Sequence, residues 1–159
     1  MALPSTPQDL AELAAQEDRL VFGQFDHATA WDLGVALVTA ARAAALPVVV
    51  SIRRGGQRLF HAALPGTSPD NDDWVERKSR VVLRFGHSSL YVGTQARVNG
   101  RAFEDRGDVD HALYAAHGGS FPLTVRGVGV IGTVTVSGLP QLDDHKFLVD
   151  QLTAFLAAS

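Results

Sequence analysis

The residues able to make a chemical site gather at two places in the 159-residue chain. One is His117-Gly118-Gly119-Ser120-Phe121-Pro122; the other is Val136-Ser137-Gly138-Leu139-Pro140, followed closely by Asp143-Asp144-His145. An imidazole, a hydroxyl and carboxylates beside glycine-rich turns are groups that orient a small ligand or hold iron or another divalent metal. Two readings of Asp143-Asp144-His145 stay open. Either a carboxylate caps the following helix, accepting its free N–H groups, or Asp144 and His145 contribute to a metal site. Ser137 would need a base and an oxyanion site to act as a nucleophile, and nothing local supplies a triad.

Lys78 is a third candidate. It falls on the apolar stripe of a predicted helix, between Trp74, Val81 and Phe85. Its stem could pack while its ammonium reaches water, or the ammonium could meet an anion at a buried pocket. Gly127-x-Gly129-x-x-Gly132 matches the dinucleotide-binding string, which works only where it turns a strand into a helix. Here the β-branched run Thr133-Val134-Thr135-Val136 follows, so the glycines predict a turn and a close approach of backbone instead. Of the six histidines, no pair has helix-borne metal spacing. His117 and His145 stand out because both flank glycine-rich turns.

These candidates must be held by the elements around them. A short helix over 5–18 is capped by Ser5 or Thr6, with Pro7 in its first turn. Leu20 to Phe25 alternates with both faces partly apolar, as expected of a strand covered on two sides. Asp26 then caps a helix from His27 to about Leu46, ended by Pro47. Trp31, Gly34, Val35 and Val38 share one face of it, which reads as core packing or, alternatively, as a ligand surface.

A β-hairpin follows, 48–52 and 58–62 around Gly55-Gly56. Beyond a proline-punctuated loop, a helix is predicted from about Asp72 to Phe85, and a further helical segment after Gly86. Val109 to Ala116 also has helical spacing. The strands around Gly127–Gly132 form a second hairpin, and a last helix runs from Asp143 or Asp144 to Ala157. Five strands in hairpins, with no repeating βαβ unit, make an α+β fold: one antiparallel sheet with helices packed on it. Residues 1–18 read as an N-terminal helix and tail, and 19–159 as a single domain.

The formal net charge of −3 leaves no basic surplus for phosphates, so no nucleic acid is expected as a partner. With no cysteine, thiolate chemistry and disulfides are excluded. No apolar run approaches the roughly 20 residues of a membrane span, and the N-terminus lacks the pattern of a signal peptide. A cytoplasmic protein is the expectation, with no membrane partner.

Five short motifs in order resemble one family. They are Phe25-Asp26 with Ala30-Trp31-x-Leu33-Gly34; Gly66-Thr67 with Asp70-Asn71-x-x-Trp74-x-x-Arg77-Lys78; His117-Gly118-Gly119-x-Phe121-Pro122; Val136 to Pro140; and Asp144-His145. From about residue 20 onward the chain is similar to the haem-degrading, HbpS-like and GlcG-like domains. The resemblance implies a profilin-like α/β/α arrangement around a five-stranded antiparallel sheet. It also implies a homodimer or larger homo-oligomer and, for some members, haem or iron as cofactor. On it, a small-molecule site would use His117, Gly118, Gly119, Phe121 and Ser137, with Trp74 and Lys78 lining it and Asp144 and His145 as metal ligands. His117 is the candidate haem ligand. The alternative is an oligomeric scaffold or protein-interaction module without catalysis, its alanine-rich helix a subunit contact.

Overall fold

The computed structural model describes residues 2–159. Helix α1 (Pro7–Arg19) begins at Thr6, whose hydroxyl accepts from the Asp9 N–H while Asp9 accepts from the Thr6 N–H. Such reciprocal capping satisfies N–H groups that the first turn leaves free. Helix α2 (His27–Ala43) starts in the same way, with Asp26 accepting from the Thr29 N–H at 2.8 Å. Strands β1 (Val49–Arg54) and β2 (Gln57–Ala63) form the first hairpin. Helices α3 (Pro69–Phe85) and α4 (Ser89–Val98) follow, then β3 (Ser120–Val125), β4 (Gly129–Ser137) and α5 (Gln141–Ala157).

The sheet is antiparallel throughout and has four strands in the order β2-β1-β4-β3. This corrects the expected five. Leu20 to Phe25 makes only one parallel bridge, Phe22 to Val125, through the Phe22 N–H to Thr124 and the Arg126 N–H to Phe22. Phe22 and Phe25 are both buried, their rings edge-on at 5.2 Å. That three-residue spacing does not suit a strand's two-residue period, and the chain turns at once into the Asp26 cap.

Helices α2 and α5 cover one face of the sheet, α3 the other, and α1 packs on α4. The main core lies on the α2/α5 side, where Leu33, Leu37, Leu148 and Leu152 meet Val50, Ile52, Phe121, Leu123, Val134 and Val136. A smaller cluster joins Val81, Val92, Phe103, Val109 and Ala116. The glycine string is the turn before β4 and part of that strand. A Cβ at Gly132 would overlap the Arg53 carbonyl, so the glycine permits the β1–β4 approach.

Three further expectations change. Of the expected α2 face, Gly34 is buried and Val38 packs against the core, but Trp31 and Val35 are open, Trp31 being 61% exposed; the helix also buries Ala30, Leu33, Leu37 and Ala41. Residues 109–116 form one turn rather than a helix. Asp110 Oδ1 accepts from the Ala112 N–H, and the Ala115 N–H then leaves to bond the Arg77 carbonyl on α3. Helices α3 and α5 also start earlier than expected, at Pro69 and Gln141, because a proline suits a first turn or the position just before one.

Candidate functional site

The strands place different residues on their two faces because side chains alternate along a strand. On the α3 side, Ser51, Thr135 and Ser120 stand in one row across β1, β4 and β3. Ser120 Oγ and Thr135 Oγ1 are 2.8 Å apart, and Ser89 Oγ accepts from the Ser120 N–H at 3.0 Å. Ser137 lies on the same side at the end of β4.

Lys78 descends from α3 to this end of the sheet and is only 2% exposed. Its Nζ donates to the carbonyls of Gly118 (3.1 Å) and Val136 (2.8 Å) and to Asp144 Oδ2 (3.2 Å). An ammonium has three protons, and all three are used. Asp144 in turn accepts from Lys78 and from the N–H groups of Gly138 (3.3 Å) and Leu139 (3.0 Å). Burial pushes the Lys78 ammonium down and the Asp144 carboxyl up, while each charge pulls its partner back. The ion pair is the form that satisfies every one of these contacts.

Both open readings of these residues are thereby decided. The Lys78 ammonium does not reach water, and its anion is an internal carboxylate. Asp144 does not cap α5; it reaches back to the turn before the helix. Gly119 adopts φ +129°, a conformation open to glycine, and a Cβ there would collide with Lys78 Nζ and the Val136 carbonyl. A Cβ at Gly118 would strike the Gln141 carbonyl. The glycine pair is therefore what lets α3, β4 and α5 converge on the lysine.

Beside this hub lies a cleft of about 190 Å³, walled by Asp70, Asn71 and Trp74 of α3, His117 and Gly118, and Ser137 to Leu139 with Gln141. Ser137 is 4% exposed, and among the described residues its hydroxyl has no hydrogen-bond partner. No base is bonded to the Ser137 hydroxyl among the described residues. Gln141 Oε1 accepts from the Gly118 N–H at 3.0 Å, and Asn71 Oδ1 from the Ser68 N–H at 2.8 Å. The Trp74 ring carries the Arg77 guanidinium at 4.6 Å and the His117 imidazole at 5.0 Å. His117 sits at the rim, its Nε2 3.4 Å from Glu104.

The remaining sequence candidates fall elsewhere. Phe121 is core, under α2 and α5. His145 is buried and turns to α1, its Nε2 2.7 Å from Gln16 Oε1. Burial pushes its imidazole down to about 4. Asp144 and His145 are adjacent in sequence but point to different partners, and among the described residues no three His, Asp or Glu side chains cluster as a metal site. The pair does not fit a metal. Asn71 and Gln141 were missing from the sequence candidates as ligand groups. Asp70-Asn71 stood in the family motifs, but nothing in the sequence says that a first-turn amide faces a cleft.

A haem does not fit inside the cleft. Its volume is below the roughly 300 Å³ at which pockets for drug-sized ligands begin. The lysine at its floor has no proton left for a propionate, and its one imidazole is at the rim. Among the described residues no helix is long and apolar enough to cross a membrane.

The whole chain has relatives. A UPF0303 protein of Streptomyces coelicolor is 53% identical over 156 residues, covering 98% of this chain and 99% of its own. The crystal structure of the Ybr137w protein superposes with a TM-score of 0.86 at 34% identity, over 94% of this chain and 88% of that one. A complex of PduOC with haem shares the fold at TM-score 0.66 and 20% identity, over 85% and 95% of the two chains. The family model described as haem degrading protein HbpS-like matches residues 25–153, and the chain belongs to that HbpS-like family.

Proposed function

We propose that this chain is a small-molecule-binding domain whose site is the cleft beside the Lys78–Asp144 hub. The observation that carries the reading is Ser137, which lines the cleft and whose hydroxyl makes no hydrogen bond among the described residues. A hydroxyl open to the cleft can exchange water for an acceptor on a ligand, a bond worth about 0.5–1.5 kcal/mol net. The hub fixes the walls before any ligand arrives, which lowers the ordering cost of binding. Saturation-transfer NMR with a mixture of small carboxylic acids, amino acids and sugars tests this. At least one component should bind saturably to the wild type and lose contact in Ser137→Val; no binder, or one indifferent to the substitution, contradicts it.

Haem is a second reading, supported by the family's description and by the exposed imidazole of His117. Because the cleft is too small, haem would lie across its rim, with His117 as the ligand to iron and no part for Asp144 or His145. Haem titration of the apoprotein reads this directly. A saturable Soret shift abolished by His117→Ala supports rim binding, and no saturable shift removes it.

Self-association is the remaining part of the proposal. Trp31 and Val35 are 61% and 41% exposed beside the edge strand β2, and open apolar side chains next to an unpaired edge suit a subunit contact. Sedimentation should show a homodimer or larger assembly that Trp31→Glu dissociates.

A further inference from the structure

Resting on the cleft reading above, we infer that the ligand carries a carboxylate, bound head-first against Ser137 and Gln141. The direction of every hydrogen bond around the cleft leads to this. The acceptors are taken: both oxygens of Asp144, the carbonyls of Gly118 and Val136, and the amide oxygens of Asn71 and Gln141 all receive protein donors. Because those amide oxygens are held, the NH2 groups of Asn71 and Gln141 are the ends left free. The Ser137 hydroxyl is unpartnered. At the Ser137–Gln141 end the free groups are thus donors, with the Asp70 carboxylate the free acceptor at the rim, which calls for a ligand whose head is an acceptor.

The helix dipole agrees with this. Helix α5 begins at Gln141, which lines the cleft, with no side-chain cap, so the positive end of its dipole lies at that end of the cleft. Its Asp143 and Asp144 N–H groups bond the Pro140 carbonyl. Lys78 neutralises Asp144, which leaves Asp70, exposed at the rim, as the one uncompensated carboxylate among the lining residues. The anionic head therefore belongs at the Ser137–Gln141 end, and the rest of the molecule extends toward Trp74 and His117. The volume admits a ligand of few heavy atoms.

Acetate and its neutral isostere acetamide are the probes. Titrations are followed by the indole N–H of Trp74 and the amide of Gly118, with the indole of Trp31, on the far side of the sheet, as reference. Acetate should shift Trp74 and Gly118 saturably and leave Trp31 unmoved, with acetamide at least tenfold weaker. Gln141→Glu keeps an oxygen for the Gly118 N–H but replaces the free donor with a negative acceptor. It should weaken acetate binding by more than tenfold, and Ser137→Ala by about tenfold; an unmoved Trp31 signal shows that each variant is folded. Acetamide binding as well as acetate would overturn the carboxylate while leaving a polar binding cleft. No response to either probe would overturn the inference and remove support from the cleft itself.

Discussion

On one face of the sheet Val50, Ile52, Phe121, Leu123, Val134 and Val136 pack against α2 and α5. On the other, the same strands present Ser51, Ser120, Thr133, Thr135 and Ser137 toward α3. All are buried. The difference separates two tasks. The apolar face supplies the transfer free energy that holds the fold, roughly 25 cal/mol for each Å² removed from water. The polar face is held through directed hydrogen bonds, and direction is what positions groups. A polar face is also costly wherever a donor goes unmatched. Ser51 and Thr133 are buried hydroxyls without a partner among the described residues, whereas Lys78 and Asp144 are completely matched.

Breaking the matched pair should have the largest effect. Lys78→Met leaves the Asp144 carboxylate and the Gly118 and Val136 carbonyls without their common donor, and urea unfolding should register a loss of about 3–5 kcal/mol. A loss below about 1 kcal/mol would mean that the pair does not organise this face.

His145, a titratable group buried at the end of the apolar side, gives the next effect. Burial holds its imidazole at about 4, below its ordinary 6.5. Between those values the unfolded chain takes up a proton that the folded one refuses, so stability should fall as pH drops through about 6.5 to about 4. The full effect is roughly 3 kcal/mol. Glu17 works in the opposite sense: burial pushes its carboxyl up, so its contribution declines as pH rises. The difference between wild type and His145→Gln isolates the histidine, and a difference that does not vary with pH would contradict its burial.

Exchanging chemistry between the faces gives a smaller, paired test. Val134→Thr puts an unpaired hydroxyl into the apolar core and should cost about 1–3 kcal/mol. The reverse change on the polar face, Thr133→Val, removes a hydroxyl that has no partner and should be neutral or stabilising by up to about 1 kcal/mol. Equal losses from the two would erase the distinction between the faces.

Much of this frame was legible in the sequence because it rests on local rules. Both hairpins, the Asp26 cap and the rejection of the dinucleotide string follow from neighbouring residues. What was not legible depends on partners far apart in the chain. Lys78 meets Gly118 across 40 residues and Asp144 across 66, so a lysine on an apolar stripe and a carboxylate in a first helical turn kept two readings each. The Gly118-Gly119 pair announced a turn but not the ammonium that needs its space. Leu20 to Phe25 alternates like a strand, yet burying Phe22 together with Phe25 outweighs that alternation. Trp31 was expected inside because it shares a helix face with Gly34, Val35 and Val38, although Ala30, Leu33 and Leu37 define the stripe that is fully buried. The structure brings His117, Ser137 and Trp74 to one cleft, while the orientation of Asn71 and Gln141 there follows only from the bonds that hold their amide oxygens.

We place ligand binding in the cleft at the end of the polar face, and not in the cavity between α2 and α5 lined by Phe22, Thr29, Asp32 and Phe155. A backbone and indole chemical-shift map of the protein in a mixture of small polar compounds tests it most directly. Shifts should concentrate at Asn71, Trp74, His117, Gly118 and Ser137 to Gln141, with α2 and the indole of Trp31 unchanged. Shifts confined to α2, or spread evenly over both faces, would contradict it.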